Sequence, residues 1–180
     1  MTSISRHQAG MALLVCLTCL LMLSLLGISA LHSAGQQQKI AGSVFFAHQS
    51  LQAAETALRR GEAHVQAQWS RLVVCASAVQ CIPPQEARTQ DSPGIDPVSR
   101  VMWERTPDGF FGIQSLGEGV MPANLPGITV GHFYRVTGIG LRGLSRTVLE
   151  SVLVSYQQVS AEPGQPPSLV FRRVMWRQIQ

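Results

Sequence analysis

The residues here whose types could do chemistry are four cysteines, five histidines and a glycine-rich run, in a chain of 180 residues. Gly138-Ile139-Gly140-Leu141-Arg142-Gly143 matches the G-x-G-x-x-G dinucleotide fingerprint. That fingerprint needs a helix directly after it, so that the helix amino terminus meets the pyrophosphate. Here the following residues, Thr147-Val148-Leu149, are β-branched and strand-like, and the acidic residue about 20 positions on is Glu162, inside a proline-rich stretch. The run reads instead as a hairpin whose glycines are free to take positive φ. His7, His32, His48, His64 and His132 are scattered, and no two stand at metal-ligand spacing on one helix face. Asp91, Asp96 and Asp108 lie among prolines and read as turn formers. With no nucleophile elbow and no paired carboxylates, no catalytic residue, metal or cofactor is expected, and the chain is not read as an enzyme. Cys16 and Cys19 read as small buried hydrophobes. Cys75 and Cys81 are expected to form a disulfide, closing a short loop and contributing about 2 kcal/mol. The rival, a metal pair, lacks nearby partner ligands.

The element that must position everything else is the apolar run that begins at Met11. No charged residue occurs from Met11 to Leu31, and none until Lys39. About 20 apolar residues rising roughly 1.5 Å each span a bilayer core of about 30 Å. A short leader, Met1 to Gly10, precedes the run and carries Arg6 as its only charge. A secretory signal places its small-residue cleavage site after the apolar region. Here the small residue, Gly10, stands before it, so a cut after Gly10 keeps the apolar segment on the mature protein. A plain single-span anchor with a chance glycine is the simpler alternative. Arg6 puts the leader on the cytoplasmic side and the rest in a compartment where disulfides persist.

Residues 32 to 72 continue the helix as an amphipathic half. Ile40, Val44, Ala47, Leu51, Ala54, Leu58, Gly61, Val65 and Leu72 recur at steps of three and four, one stripe that predicts packing on a soluble body. An isolated coiled coil lacks its charge pattern here. The chain carries a net charge of +4. No aromatic-interleaved basic cluster accompanies it, so a nucleic-acid partner is not expected.

Ile82-Pro83-Pro84 ends this region. The fold class is α+β: a helix over about 11–72 packed on a small antiparallel sheet. The parts are a leader at 1–10, a membrane-spanning half at 11–31, the amphipathic half at 32–72, a connecting loop region at 73–131 and a sheet domain at 132–180. Within the loop region, 83–100 reads as a surface loop, Phe110-Phe111-Gly112-Ile113 as a short strand or loop, and 117–131 as loop. Strands are predicted at 132–139, 147–156 and 169–176, joined by a turn at Leu141–Leu144 and a loop at Ala161–Ser168. Neighbours with short connections predict an antiparallel meander.

Gly10-Met11-Ala12-Leu13-Leu14-Val15, Leu26-Gly27-Ile28-Ser29-Ala30 and Gln52-Ala53-Ala54-Glu55-Thr56-Ala57-Leu58-Arg59 resemble the amino-terminal region of the PilX minor pilins. Tyr134-Arg135-Val136-Thr137, Val148-Leu149-Glu150-Ser151 and Arg173-Val174-Met175-Trp176-Arg177-Gln178 resemble carboxyl-terminal segments of that family. The resemblance implies a type IV pilin fold, a class III signal cut by prepilin peptidase between Gly10 and Met11, and methylation of Met11. It implies a minor pilin that primes or caps type IV pilus assembly in a tip complex and supports adhesion and twitching motility. Its partners would be other minor pilins, the tip adhesin, the prepilin peptidase, the inner-membrane assembly platform and, through Met11–Leu31, the inner membrane. It would sit single-pass in a bacterial inner membrane with a periplasmic body, then at the pilus tip. Most pilins carry glutamate at the fifth mature position, where this chain has Val15. A carboxylate in lipid is costly unless paired with a neighbour's charged terminus, so valine there points to a subunit with no predecessor; the plainer alternative is that valine costs less to insert and carries no positional meaning. Two rivals remain: a type II secretion pseudopilin of the K kind, which carries a large helical insertion, and a DNA-uptake pilin using Arg135, Arg142, Arg146, Arg172, Arg173 and Arg177.

Overall fold

A computed structural model describes residues 8–120, 130–158 and 166–179. Most of the leader, including Arg6 and His7, lies outside the described residues, as do most of the loop expected at 117–131 and much of the one expected at Ala161–Ser168. The elements run α1 (Gln8–Gln68), a 3-10 turn (Trp69–Arg71), α2 (Ala78–Cys81), a second 3-10 turn (Gln85–Arg88), β1 (Gly94–Ile95), β2 (Met102–Thr106), β3 (Gly109–Val120), β4 (Val130–Arg142), β5 (Ser145–Gln158) and β6 (Ser168–Ile179). The chain divides into two compact units, Met1–Val44 and Phe45–Gln180.

The described part of the first unit is helix. From Met11 onward its apolar side chains are turned outward; Met11 is 68% exposed and Leu31 74%.

The second unit is a two-faced sheet. All six strands pair antiparallel in sequence order, β1 to β6, the simple meander that short connections favour. The part of α1 from Phe45 on covers one face. Its buried residues are Ser50, Ala53, Ala54, Ala57, Leu58, Gly61, Glu62 and Val65. They are small, and the strand beneath is smaller still. A Cβ on Gly138 would stand 2.7 Å from the Ala54 carbonyl oxygen and from the Leu58 amide nitrogen, and one on Gly140 would run into Ser50 and Ala54 backbone. The two glycines of the G-x-G run therefore let helix and strand backbones touch. Farther along β4, Val136 and Tyr134 fill the widening gap with Leu58, Val65, Leu149 and Leu153. Ser50 and Thr147, on helix and β5, share a hydroxyl hydrogen bond of 2.7 Å.

On the opposite face Trp103, Phe110, Ile139 and Val148 form a second core with Ala87 and Val101. Trp103 is cross-strand from Gly112, and a Cβ at Gly112 would lie 3.1 Å from its ring carbons. The glycine makes room for the indole. The cover over this face is the segment 74–101, and side chains pin it down. Gln114 Nε2 donates to the carbonyls of Gln80 and Ile82 at 2.5 and 3.0 Å. Arg135 Nη1 donates to the Cys81 carbonyl at 2.5 Å. Arg146 Nη1 donates to the carbonyls of Ala87 and Gln90 at 3.2 and 2.8 Å.

The long helix, the three carboxyl-terminal strands and their antiparallel order agree with the sequence expectation; the turn is shorter, at Gly143-Leu144, with Gly143 at φ 56°. The connecting loop region at 73–131 is corrected: it contains β1, β2 and β3, and the sheet begins at Gly94 instead of 132. Glycines at 109, 112, 117 and 119 dilute the period-two signal of β3, and its pairing is repaid only by Trp103 and the helix packing on either side. The surface loop at 83–100 is also corrected in part, since Pro84, Ala87 and Ser99 are buried against the sheet. The helical stripe is buried only from its middle on; Ile40 and Val44 are 62% and 48% exposed.

Candidate functional site

Gly10, Met11 and Val15 all lie within α1, with Val15 54% exposed. The apolar surface that begins at Met11 carries hydroxyls, and these are satisfied locally. Thr18 Oγ1 donates to the Val15 carbonyl at 2.9 Å, and Ser24 Oγ to the Leu20 carbonyl at 2.8 Å. Such back-bonding to the preceding turn gives these two hydroxyls partners within the helix. Among the described residues, one helix is long and apolar enough to cross a membrane, and the apolar window within it is unburied by the protein itself. The reading of Cys16 and Cys19 as buried is corrected: both are exposed, because the helix has no cover of its own chain there.

Cys75 and Cys81 are joined in a disulfide with Cα atoms 5.5 Å apart. The Cys75 amide donates to the Ser115 carbonyl at 2.9 Å, where a one-residue bulge between Ser115 and Gly117 interrupts the β3–β4 ladder.

The six arginines of the DNA-uptake alternative do not share a face. Arg173 reaches α1: its Nε donates to Glu62 Oε1 at 2.8 Å and its Nη2 to Oε2 at 2.5 Å. Ser151 Oγ donates to the same Glu62 oxygen at 2.7 Å. The Arg173–Glu62 hydrogen bonding, more than the burial opposing it, raises the Arg173 guanidinium above its ordinary value. Arg135 and Arg177 meet the fully buried Glu150 on the other sheet face, at 3.5 and 3.0 Å. These are charge contacts; neither Glu150 oxygen makes an aligned hydrogen bond among the described residues. Burial lowers Arg135, while the Glu150 charge opposes that shift. Arg142 pairs with Asp108 at 2.9 Å, and burial lowers Arg146 while it holds the cover. Asp96 caps the turn before β2, its Oδ1 accepting from the Val98 and Ser99 amides at 2.8 Å; these bonds hold its carboxyl below the ordinary 3.8.

Glu62, Glu150 and Gln114 had no signal in the sequence. Glu62 follows a buried glycine on the helical stripe, but its partner lies 111 residues away. His64 and His132 each stand beside one carboxylate, Glu104 at 3.7 Å and Glu118 at 3.1 Å, and the structure brings the two histidines to no common site.

Residues 9–59 match the family model described as PilX N-terminal. No curated protein and no solved structure matches the chain. The matched stretch spans the exposed apolar turns of α1 and the turns that sit on Gly138 and Gly140. The chain thus combines an amino-terminal stretch similar to the PilX N-terminal family with a body of one helix and an antiparallel sheet.

Proposed function

We propose that the chain is a minor pilin that primes or caps type IV pilus assembly in a tip complex with other minor pilins, and that supports adhesion and twitching motility. The single observation that carries this is where the PilX N-terminal match begins, at residue 9, next to a glycine that opens an exposed apolar helix. Prepilin peptidase cuts after Gly10 and Met11 is methylated. The segment Met11–Leu31 holds the chain in the inner membrane with the sheet body on the periplasmic side. On assembly it exchanges lipid for the helices of neighbouring subunits. That exchange is physically cheap because lipid tails and leucine side chains are equally apolar. Val15 leaves the subunit without the carboxylate that would dock beneath an earlier one, which favours the tip. Cys75–Cys81 belongs to the exported body.

Mass spectrometry of the amino terminus tests the reading, in cells with and without prepilin peptidase. A start at Met11 carrying one extra methyl is expected in the first, and an intact leader in the second. The same amino terminus in both strains overturns it.

Two observations weigh against the rivals. The described connections inside the sheet body hold only a four-residue helix, α2, where a K-like pseudopilin carries a large helical insertion. Five of the six arginines of the DNA-uptake reading already have protein partners.

A further inference from the structure

We infer that the Cys75–Cys81 disulfide is a redox latch: closed, it presents the carbonyls of Gln80, Cys81 and Ile82 to Gln114 and Arg135; opened, it releases the 75–82 loop and unshields Glu150.

The argument starts from what does not hold this segment. Helix α2 has four residues and buries none of them, and a single turn is too short to be stable alone. Val79 is 53% exposed and Ile82 48%. Apolar burial therefore contributes little between Cys75 and Ile82. What remains is the covalent closure, the Cys75 amide on the Ser115 carbonyl, and three carbonyls that accept from Gln114 and Arg135. The donors in turn depend on those carbonyls. Gln114 is buried, and its Oε1 accepts from Arg135 Nη1 at 3.1 Å; a buried donor that loses its acceptor bears the full desolvation cost. Arg135 also faces Glu150 across the sheet, and Glu150 faces Arg177 on β6. One polar chain thus runs from the disulfide loop across β3, β4, β5 and β6. Closing the loop limits how far its three carbonyls can wander, which keeps that chain supplied with acceptors.

Opening is a two-electron reduction by a dithiol. One dithiol sulfur, as thiolate, bonds to a protein sulfur while the S–S bond breaks, and the other protein sulfur leaves as thiolate and takes up a proton. The second dithiol sulfur then displaces the first protein sulfur, yielding two protein thiols and a disulfide on the reductant. The latch does not depend on the pilus reading.

Hydrogen exchange tests it on the full chain in detergent micelles, with and without dithiothreitol, and on Cys75→Ser/Cys81→Ser and Gln114→Ala. Reduction is expected to speed exchange of the amides of Cys75, Cys81 and Ile82 about tenfold, while the Gln90 amide and the β4–β5 amides near Gly138 keep their protection. Gln114→Ala is expected to do the same, and reduction is expected to add little further in that variant. Equal exchange at these amides in both redox states overturns the latch. So does a uniform loss of protection across the whole sheet, which would mark a global stabiliser. So does a Gln114→Ala effect of the same size in the oxidised and reduced protein.

Discussion

Glu62 and Arg173 are 111 residues apart in sequence and meet as a two-pronged ion pair, Nε on Oε1 at 2.8 Å and Nη2 on Oε2 at 2.5 Å. The carboxylate belongs to the helix and the guanidinium to the outermost strand, so the pair ties the sheet's far edge to α1. Ser151 on β5 adds a third hydrogen bond to the same carboxylate. The planar fork of arginine matches a carboxylate as lysine cannot.

Glu62→Gln is expected to destabilise the body by about 1.5–3 kcal/mol, the range for a hydrogen bond to a charged group. Asp108→Asn breaks the pair with Arg142, whose side chains are 37% and 44% exposed, and is expected to cost under about 1 kcal/mol and to fade with salt. Urea unfolding of both variants checks the contrast. Equal losses would show that the Glu62 pair carries no special weight.

Gly140→Ala is expected to cost about 3 kcal/mol or more, because its Cβ meets helix backbone that cannot move aside as a side chain can. Gly42→Ala supplies the control: nothing lies within 4 Å of a Cβ there, and alanine favours a helix by about 1 kcal/mol. Thermal unfolding followed by circular dichroism separates them. A Gly140→Ala protein as stable as the parent would mean that the helix does not rest on β4.

Burial pushes the Tyr134 phenol above its ordinary 10.0, with its hydrogen bond to Ser155 acting the other way. The native state therefore holds that proton more tightly than the unfolded chain. Its contribution is complete below about pH 10 and is lost as pH rises from there through the folded value. Urea midpoints measured from about pH 9 to about pH 11 should fall, and Tyr134→Phe should flatten part of the fall. An unchanged slope in that variant would assign the loss elsewhere.

Val15→Glu places a carboxylate at the fifth position of the proposed mature chain. Under the proposed tip role, gold-labelled antibody should mark fibre ends in the parent and spread along the shaft in the variant. Identical labelling in both would leave Val15 without positional meaning.

The chain's two solvents are written into its composition. A charge-free stretch from Met11 to Leu31 followed by a one-sided stripe specifies lipid at one end and a packed body at the other, since each residue's preference there is local. The last three strands are legible for the same reason: β4, β5 and β6 are rich in β-branched and aromatic residues. The earlier strands are not. Gly112 belongs in a strand only because Trp103 lies over it, and that neighbour is supplied by pairing. Gly138 and Gly140 read as hairpin glycines in the sequence, and only the fold rests the helix backbone on them. In the sequence the arginines could serve only the DNA-uptake rival, and the fold spends Arg135, Arg173 and Arg177 on Glu150 and Glu62. Solvent preference is a property of a residue and its near neighbours, whereas the pairing of charges across a sheet depends on which strands the fold places side by side.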